Sequence, residues 1–154
     1  MEWQSYSALE TKRFGSALAA CLQPGDVVVL NGDLGAGKTQ FVQGVAEGLG
    51  VEGDVTSPTF NILLSYQSAL PLHHFDLYRL DGAEELDDIG YWEVVEGDGA
   101  TFIEWGDKFP DDMPDDYLEL SLSASVNGAR TLRAVAHGPR SRELMAAWEN
   151  NAAV

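Results

Sequence analysis

Gly32-Asp33-Leu34-Gly35-Ala36-Gly37-Lys38-Thr39 decides how this chain is read. It follows the apolar run Val27-Val28-Val29-Leu30 and precedes a helix-like segment. That is the P-loop pattern G-x-x-x-x-G-K-[ST] in its strand–loop–helix setting. Glycines let the backbone curl until successive N–H groups point at phosphate oxygens, and the helix N-terminus adds partial positive charge. Lys38 is then placed for the β- and γ-phosphates, and the Thr39 hydroxyl for Mg²⁺. A chance match in a chain of this length arises in roughly one protein in two hundred. A dinucleotide fold fits poorly, because the glycines are spaced G-x-x-G-x-G and lead into Lys-Thr.

The strand before this loop reads as residues 27–31, buried on both faces, since its apolar run leaves no polar side. The helix after it carries Phe41, Val42, Val45, Ala46 and Leu49 at helical spacing, with Gly50 as its stop. Upstream, Ser7 to Leu22 reads as a helix. Ser7 and Glu10 suit a capping box, and Leu9, Phe14, Ala17, Leu18 and Cys21 suit an apolar side. Pro24-Gly25-Asp26 is a turn.

Downstream, Gly53 to Phe60 lacks either periodicity and reads as a loop running into a strand. In a nucleotide site such a segment can sense the γ-phosphate. Asn61 to Tyr66 and Leu72 to Leu77 read as strands joined through Gln67 to Pro71. Asp81 is a candidate cap for a short helix around Ala83 to Leu86, and Gly90 precedes another through Val95. Thr101 to Trp105 is an apolar strand ending in an acid. Tyr117 to Ala124 alternates, with Leu118, Leu120 and Leu122 on one face. Asn127-Gly128 signals a two-residue hairpin turn into Thr131 to Ala136. Ser141 to Trp148 closes as a helix, and the tail after about residue 149 is expected to fray. The fold expected is α/β: one P-loop domain over residues 1–154, its central sheet mixed parallel and antiparallel and flanked by helices.

Composition narrows the function. The chain has 154 residues, 25 acids against 9 Lys and Arg, and a formal charge of −16. Such a surface repels nucleic acid and anionic membrane, so direct reading of DNA or RNA is not expected. It suits a basic protein partner. The single cysteine, Cys21, fits a reducing compartment. No apolar stretch approaches about 18 residues and no signal peptide is read, so a cytoplasmic protein is expected.

A P-loop needs a carboxylate from a neighbouring strand for Mg²⁺, and often a group that orients the attacking water. Glu104, at the end of Phe102-Ile103, and Asp76, within His73-His74-Phe75-Asp76-Leu77-Tyr78-Arg79-Leu80, both fit. Asp33 inside the loop repels phosphate unless it faces away. His73 and His74 are adjacent and point to opposite faces of a strand, which suits structural roles better than one shared metal. Trp105 is open between core packing and stacking at the nucleotide or a partner. Either Arg130 or Arg133 can supply a positive charge in cis.

Four blocks occur in order: the P-loop, Ser57-Pro58-Thr59-Phe60, His74-Phe75-Asp76-Leu77-Tyr78-Arg79-Leu80 and Ile103-Glu104-Trp105. Together they resemble the TsaE (YjeE) family, the small ATPase of the bacterial tRNA threonylcarbamoyl-adenosine modification system. The resemblance covers almost the whole chain. It implies ATP and Mg²⁺ as ligands and the TsaB–TsaD pair as partner. Hydrolysis then resets that complex, and tRNA is met only through it. By the same resemblance Gly35, Ala36, Gly37, Lys38, Thr39 and Gln40 form the phosphate site. Thr39 and Glu104 hold the metal, and Lys38, Asp76 and Glu104 are catalytic. Trp105 and Arg133 are then nucleotide contacts, with Arg130 the alternative to Arg133, and Ser7 to Thr11 is a further candidate contact. Gln40 departs from the family, which usually has a second Thr there. Two other classes share the P-loop: a small-molecule kinase and a nucleotide-gated interaction module. Only six arginines and no Arg-rich lid count against the kinase.

Overall fold

In the computed structural model, residues 1–33, 35–58, 60–125 and 127–152 are described. Leu34 of the P-loop and Thr59 of the loop after it lie outside the described residues. So do position 126 of the last hairpin and the final residues 153–154 of the tail.

Seven strands form one sheet: β1 (Glu2–Ser5), β2 (Val27–Asn31), β3 (Leu63–Tyr66), β4 (Leu72–Asp76), β5 (Ala100–Glu104), β6 (Tyr117–Ala124) and β7 (Arg130–His137). Its order is β1-β7-β6-β2-β5-β4-β3. β6, β2, β5 and β4 run parallel, while β7, β1 and β3 pair antiparallel at the flanks. The mixed α/β sheet expected from the sequence is therefore present.

β2 lies inside the parallel set because it can be buried from both sides. Val28 and Leu30 face a layer made by α1 (Ala8–Ala19), α2 (Lys38–Leu49) and α5 (Pro139–Ala152). Val27 and Val29 face the other layer, under α3 (Glu84–Asp88) and α4 (Tyr91–Val95), with Phe75, Tyr91 and Ile103. On the first face Trp148 of α5 is fully buried. Its indole donates to the Phe14 carbonyl at 2.9 Å and meets Trp3 edge-on at 4.8 Å between centroids.

α1 and α2 approach backbone to backbone. A Cβ at Gly44 would fall on the Lys12 carbonyl oxygen, and one at Gly15 on that of Phe41. A glycine inside a helix costs about 1 kcal/mol against alanine; here it permits the contact that seats the P-loop helix.

Several boundaries depart from the expectations. β1 was not foreseen, since its residues are short and mostly polar; pairing of Glu2 to Ser5 with Arg133 to Arg130 creates it. Ser7 does cap α1, accepting from Glu10 N–H at 3.1 Å, but Leu9 is 58% exposed and belongs to no apolar side. The Glu10 carboxylate reaches back to the Tyr6 N–H. Asp81 is not a cap: α3 starts after Ala83, and Glu85 accepts from the Asp81 N–H at 2.8 Å instead. Among the described residues between α2 and Leu63 there is no helix or strand, so the strand expected from Asn61 starts two residues later. The last hairpin is wider than two residues: Ala124 pairs with Arg130, Gly128 N–H donates to Ser125 O, and Gly128 takes φ +84°. α5 extends through Ala152, past the expected point of fraying.

Candidate nucleotide site

The P-loop leaves β2 at Asn31 and enters α2 at Lys38. Gly35 and Gly37 adopt φ +83° and +106°, a region open mainly to glycine. A Cβ on Gly35 would meet nothing within 4 Å, so that glycine serves the curl rather than a tight contact. At Gly32 the reason differs, because a Cβ there would press on the Leu122 carbonyl oxygen at 2.6 Å. Among the described residues no side chain caps the start of α2, and no acid lies in its first turn. Its first N–H groups are therefore left open to an anion rather than satisfied by a described side chain.

The parallel register carries the acids to the same edge. Leu30, the second-last residue of β2, is opposite Glu104, and Glu104 is opposite Asp76. Both carboxylates are almost wholly buried, at 5% and 4% exposure. Glu104 Oε1 lies 2.9 Å from Lys38 Nζ, and Oε2 lies 2.7 Å from His74 Nε2. The imidazole contact is close but poorly aligned: neither ring nitrogen of His74 meets hydrogen-bond geometry with a described residue. Burial pushes the Glu104 carboxyl upward, but His74 and Lys38 outweigh it and hold it below its ordinary value. Asp76 accepts the Tyr78 N–H at 3.0 Å, and its own N–H donates to Ile62 O at 2.7 Å.

Two non-glycine residues among those described take positive φ: Trp105 at 63° and Ile62 at 65°. One follows Glu104, and the other holds Asp76. Left-handed backbone costs about 1–2 kcal/mol at such residues, and strain of this kind concentrates at functional sites.

These groups enclose a cleft of about 320 Å³. Gly35, Gly37, Lys38, Thr39 and Gln40 form its floor; Asp76, Glu104 and Ser57 stand opposite, with Tyr78 and Trp105 at the rim. Trp105 is 40% exposed, with its ring centroid 5.9 Å from Lys38 Nζ and 4.9 Å from the Tyr78 ring. It belongs to the cleft mouth rather than the core. Asp33 is exposed and lines an adjoining cleft with Asp107 and Ser123, which shares Lys38 and Trp105 with the first. Ala36 is buried at 2% and contributes backbone alone.

Across the P-loop, a notch of about 150 Å³ shares Gly35, Gly37 and Gln40 with the cleft. Its other wall is Ser7, Ala8, Thr11, Gly128 and Arg130. A buried hydroxyl pair, Ser5 with Thr11 at 2.7 Å, fixes α1 there. Arg130 donates to the Gly35 carbonyl at 3.2 Å. Arg133 is not brought to the cleft or the notch: its guanidinium pairs with Glu2 at 2.7 Å on the sheet's outer edge. The late arginine beside the P-loop is thus Arg130. Sequence reasoning left His74 out of the site; its adjacency to His73 suggested two structural residues, and only the register shows which one faces Glu104.

The donor set fits a metal that arrives with phosphate. No cluster of three or more His, Cys, Asp or Glu among the described residues could hold a metal by itself. Mg²⁺ suits such a place, since it binds through one or two protein oxygens plus substrate phosphates. No helix among the described residues is long and apolar enough to cross a membrane.

Comparison with known proteins identifies the family. Residues 5–132 match the model of the family described as threonylcarbamoyl adenosine biosynthesis protein TsaE. The tRNA threonylcarbamoyladenosine biosynthesis protein TsaE of Treponema pallidum is 43% identical over 132 residues, 86% of this chain and 98% of that protein. Its Bacillus subtilis counterpart is 38% identical over 141 residues, 91% of this chain and 88% of that one. The crystal structure of Bacillus subtilis YdiB superposes with a TM-score of 0.84 at 34% identity, covering 97% of this chain and 94% of that one. On the match to the family model and to these relatives, the chain belongs to the TsaE family of tRNA threonylcarbamoyladenosine biosynthesis.

Proposed function

We propose that this protein binds and hydrolyses ATP for tRNA threonylcarbamoyladenosine synthesis, acting on a TsaB–TsaD complex to support repeated turnover. The observation that carries this reading is the meeting of Lys38, Thr39, Asp76 and Glu104 in one cleft. The α2 N-terminus and the P-loop backbone grip the β- and γ-phosphates. Lys38 leaves Glu104 and pairs with phosphate oxygens. Thr39 and Glu104 would hold Mg²⁺, which would neutralise phosphate charge there. Asp76 accepts a hydrogen bond from the attacking water. The water oxygen bonds to the γ-phosphorus as its proton passes to a γ-phosphate oxygen and on to solvent, the bond to the bridging oxygen breaks, and ADP leaves with Lys38 countering its new charge. Trp105 and Tyr78 cover the cleft mouth, and the notch beside Arg130 and Thr11 takes the base end. The −16 charge favours a basic protein face over tRNA as the direct contact, so tRNA is reached only through the partner complex, in the cytoplasm.

Phosphate release from ATP tests this, measured alone, with TsaB and TsaD, and with a panel of nucleosides. Release that is slow alone and rises with the partners is expected. A phosphorylated nucleoside would make the protein a kinase. ATP-dependent partner binding that persists in Glu104→Ala without turnover would make it a nucleotide-gated module.

A further inference from the structure

We propose that His74 is the positioning residue of Glu104, holding the carboxylate by Oε2 so that Oε1 stays turned to the cleft once Lys38 moves to phosphate. The inference rests on Glu104 being the metal-site acid. Residues 72, 74 and 76 of β4 share one face. Leu72 is core, Asp76 lines the cleft, and His74 lies between them at 1% exposure. His74 is opposite Phe102, two residues before Glu104, which makes it the diagonal neighbour of that acid.

The two oxygens of Glu104 have separate partners. Lys38 takes Oε1 at 2.9 Å, and His74 approaches Oε2 at 2.7 Å. A buried polar ring carries a desolvation cost that a leucine would avoid. Among the described residues that ring has one polar engagement, and it is Glu104; Nδ1 has none. Phosphate competes for Lys38, and a buried carboxylate stripped of every partner is strongly disfavoured. A second hold on Oε2 prevents that and stops the carboxylate from turning. Outer partners of metal ligands are typically worth about ten- to a hundredfold in metal affinity.

The test is calorimetric titration of ATP into the full chain, in EDTA and in Mg²⁺, for the parent, His74→Leu and His74→Gln. Urea unfolding of His74→Leu, Glu104→Gln and the double variant accompanies it. Affinity in EDTA should be the same in all three proteins. The affinity gained from Mg²⁺ should fall about tenfold in His74→Leu and largely return in His74→Gln, whose amide nitrogen reaches the place of Nε2. In urea the double variant should lose less than the two singles summed. Where His74→Leu folds too poorly to titrate, His74→Asn replaces it with the same expectation, its amide falling at the Nδ1 position out of reach of Glu104. A full Mg²⁺ gain in the leucine or asparagine variant, or additive losses in urea, overturns the proposal. A parent that gains nothing from Mg²⁺, with non-additive losses in urea, overturns the nucleotide reading and leaves the hold of His74 on Glu104 standing.

Discussion

Asp76 and Glu104 are register partners at the carboxyl ends of adjacent parallel strands, yet they have unlike surroundings. Glu104 is clamped by a lysine and a histidine; among the described residues Asp76 is held by backbone alone, through Tyr78 N–H and Ile62 O. A carboxylate with fixed backbone and no cationic partner among them is suited to orient water, while the clamped one is suited to a metal. Asp76→Asn should therefore keep Mg²⁺-dependent ATP affinity and lower kcat by about a hundredfold. Glu104→Gln should lose the affinity gained from Mg²⁺. Titration of ATP with and without Mg²⁺, beside single-turnover phosphate release, checks both. The reverse pattern would exchange the two roles.

Arg130 and Arg133 lie on one strand and differ in what they reach. Arg130→Ala should weaken ATP binding by roughly fivefold to tenfold, since it removes a charge-assisted hydrogen bond of about 1–1.5 kcal/mol from the notch. Arg133→Ala should leave ATP affinity unchanged and cost under about 1 kcal/mol of stability, because its pair with Glu2 is largely exposed. Equilibrium binding of ATP to the two variants decides. A loss in Arg133→Ala alone would restore the assignment that the resemblance suggests.

Much of this arrangement is legible in the chain itself, for a physical reason. Gly35, Gly37 and Lys38 announce the task proposed for them because few other residues suit a curled, cationic phosphate cradle. The run Val27 to Leu30 announces a strand buried on both faces. Glu104 follows because an acid ending such a run is costly without a use. What stays hidden depends on register and docking. β1 exists only because β7 offers it an edge, and Leu9 looks apolar-faced until the crossing of α1 with α2 puts Gly15 inward instead. His74 could not be told from His73 without knowing that β4 lies beside β5, where the one meets Glu104 and the other bonds Ser65.

The α1–α2 contact yields a stability prediction remote from the chemistry. Gly44→Ala improves helix propensity by about 1 kcal/mol, but its methyl group lands on the Lys12 carbonyl, which is backbone and has nowhere to go. Overpacking of this kind costs typically 1–3 kcal/mol, and here the upper end is expected. The net effect should be a loss of about 2 kcal/mol in urea unfolding, with ATP affinity lowered because α2 carries Lys38 and Thr39. A neutral or stabilised Gly44→Ala would mean that the helices do not meet at this point.

Asp116 ties the start of β6 to the start of α5, and the tie should make stability depend on pH. Its carboxylate accepts the Arg140 N–H at 2.7 Å and the Ser141 N–H at 2.9 Å, capping α5 from outside the helix. Burial pushes its carboxyl upward, but hydrogen bonds from Ser141 and Arg140 prevail and hold it below the ordinary aspartate value. A pKa lowered by folding means that the unfolded chain binds the proton more readily. The contribution is then fully present above the unfolded value of about 3.9 and is lost as pH falls through the lower folded value. Asp116→Ala should cost about 1 kcal/mol at pH 7, and the gap from the parent should narrow as pH falls below the unfolded value of about 3.9. Thermal unfolding of both proteins from pH 7 to pH 2.5 measures it. A gap that stays constant across that range would show that the Asp116 carboxylate does not carry the cap.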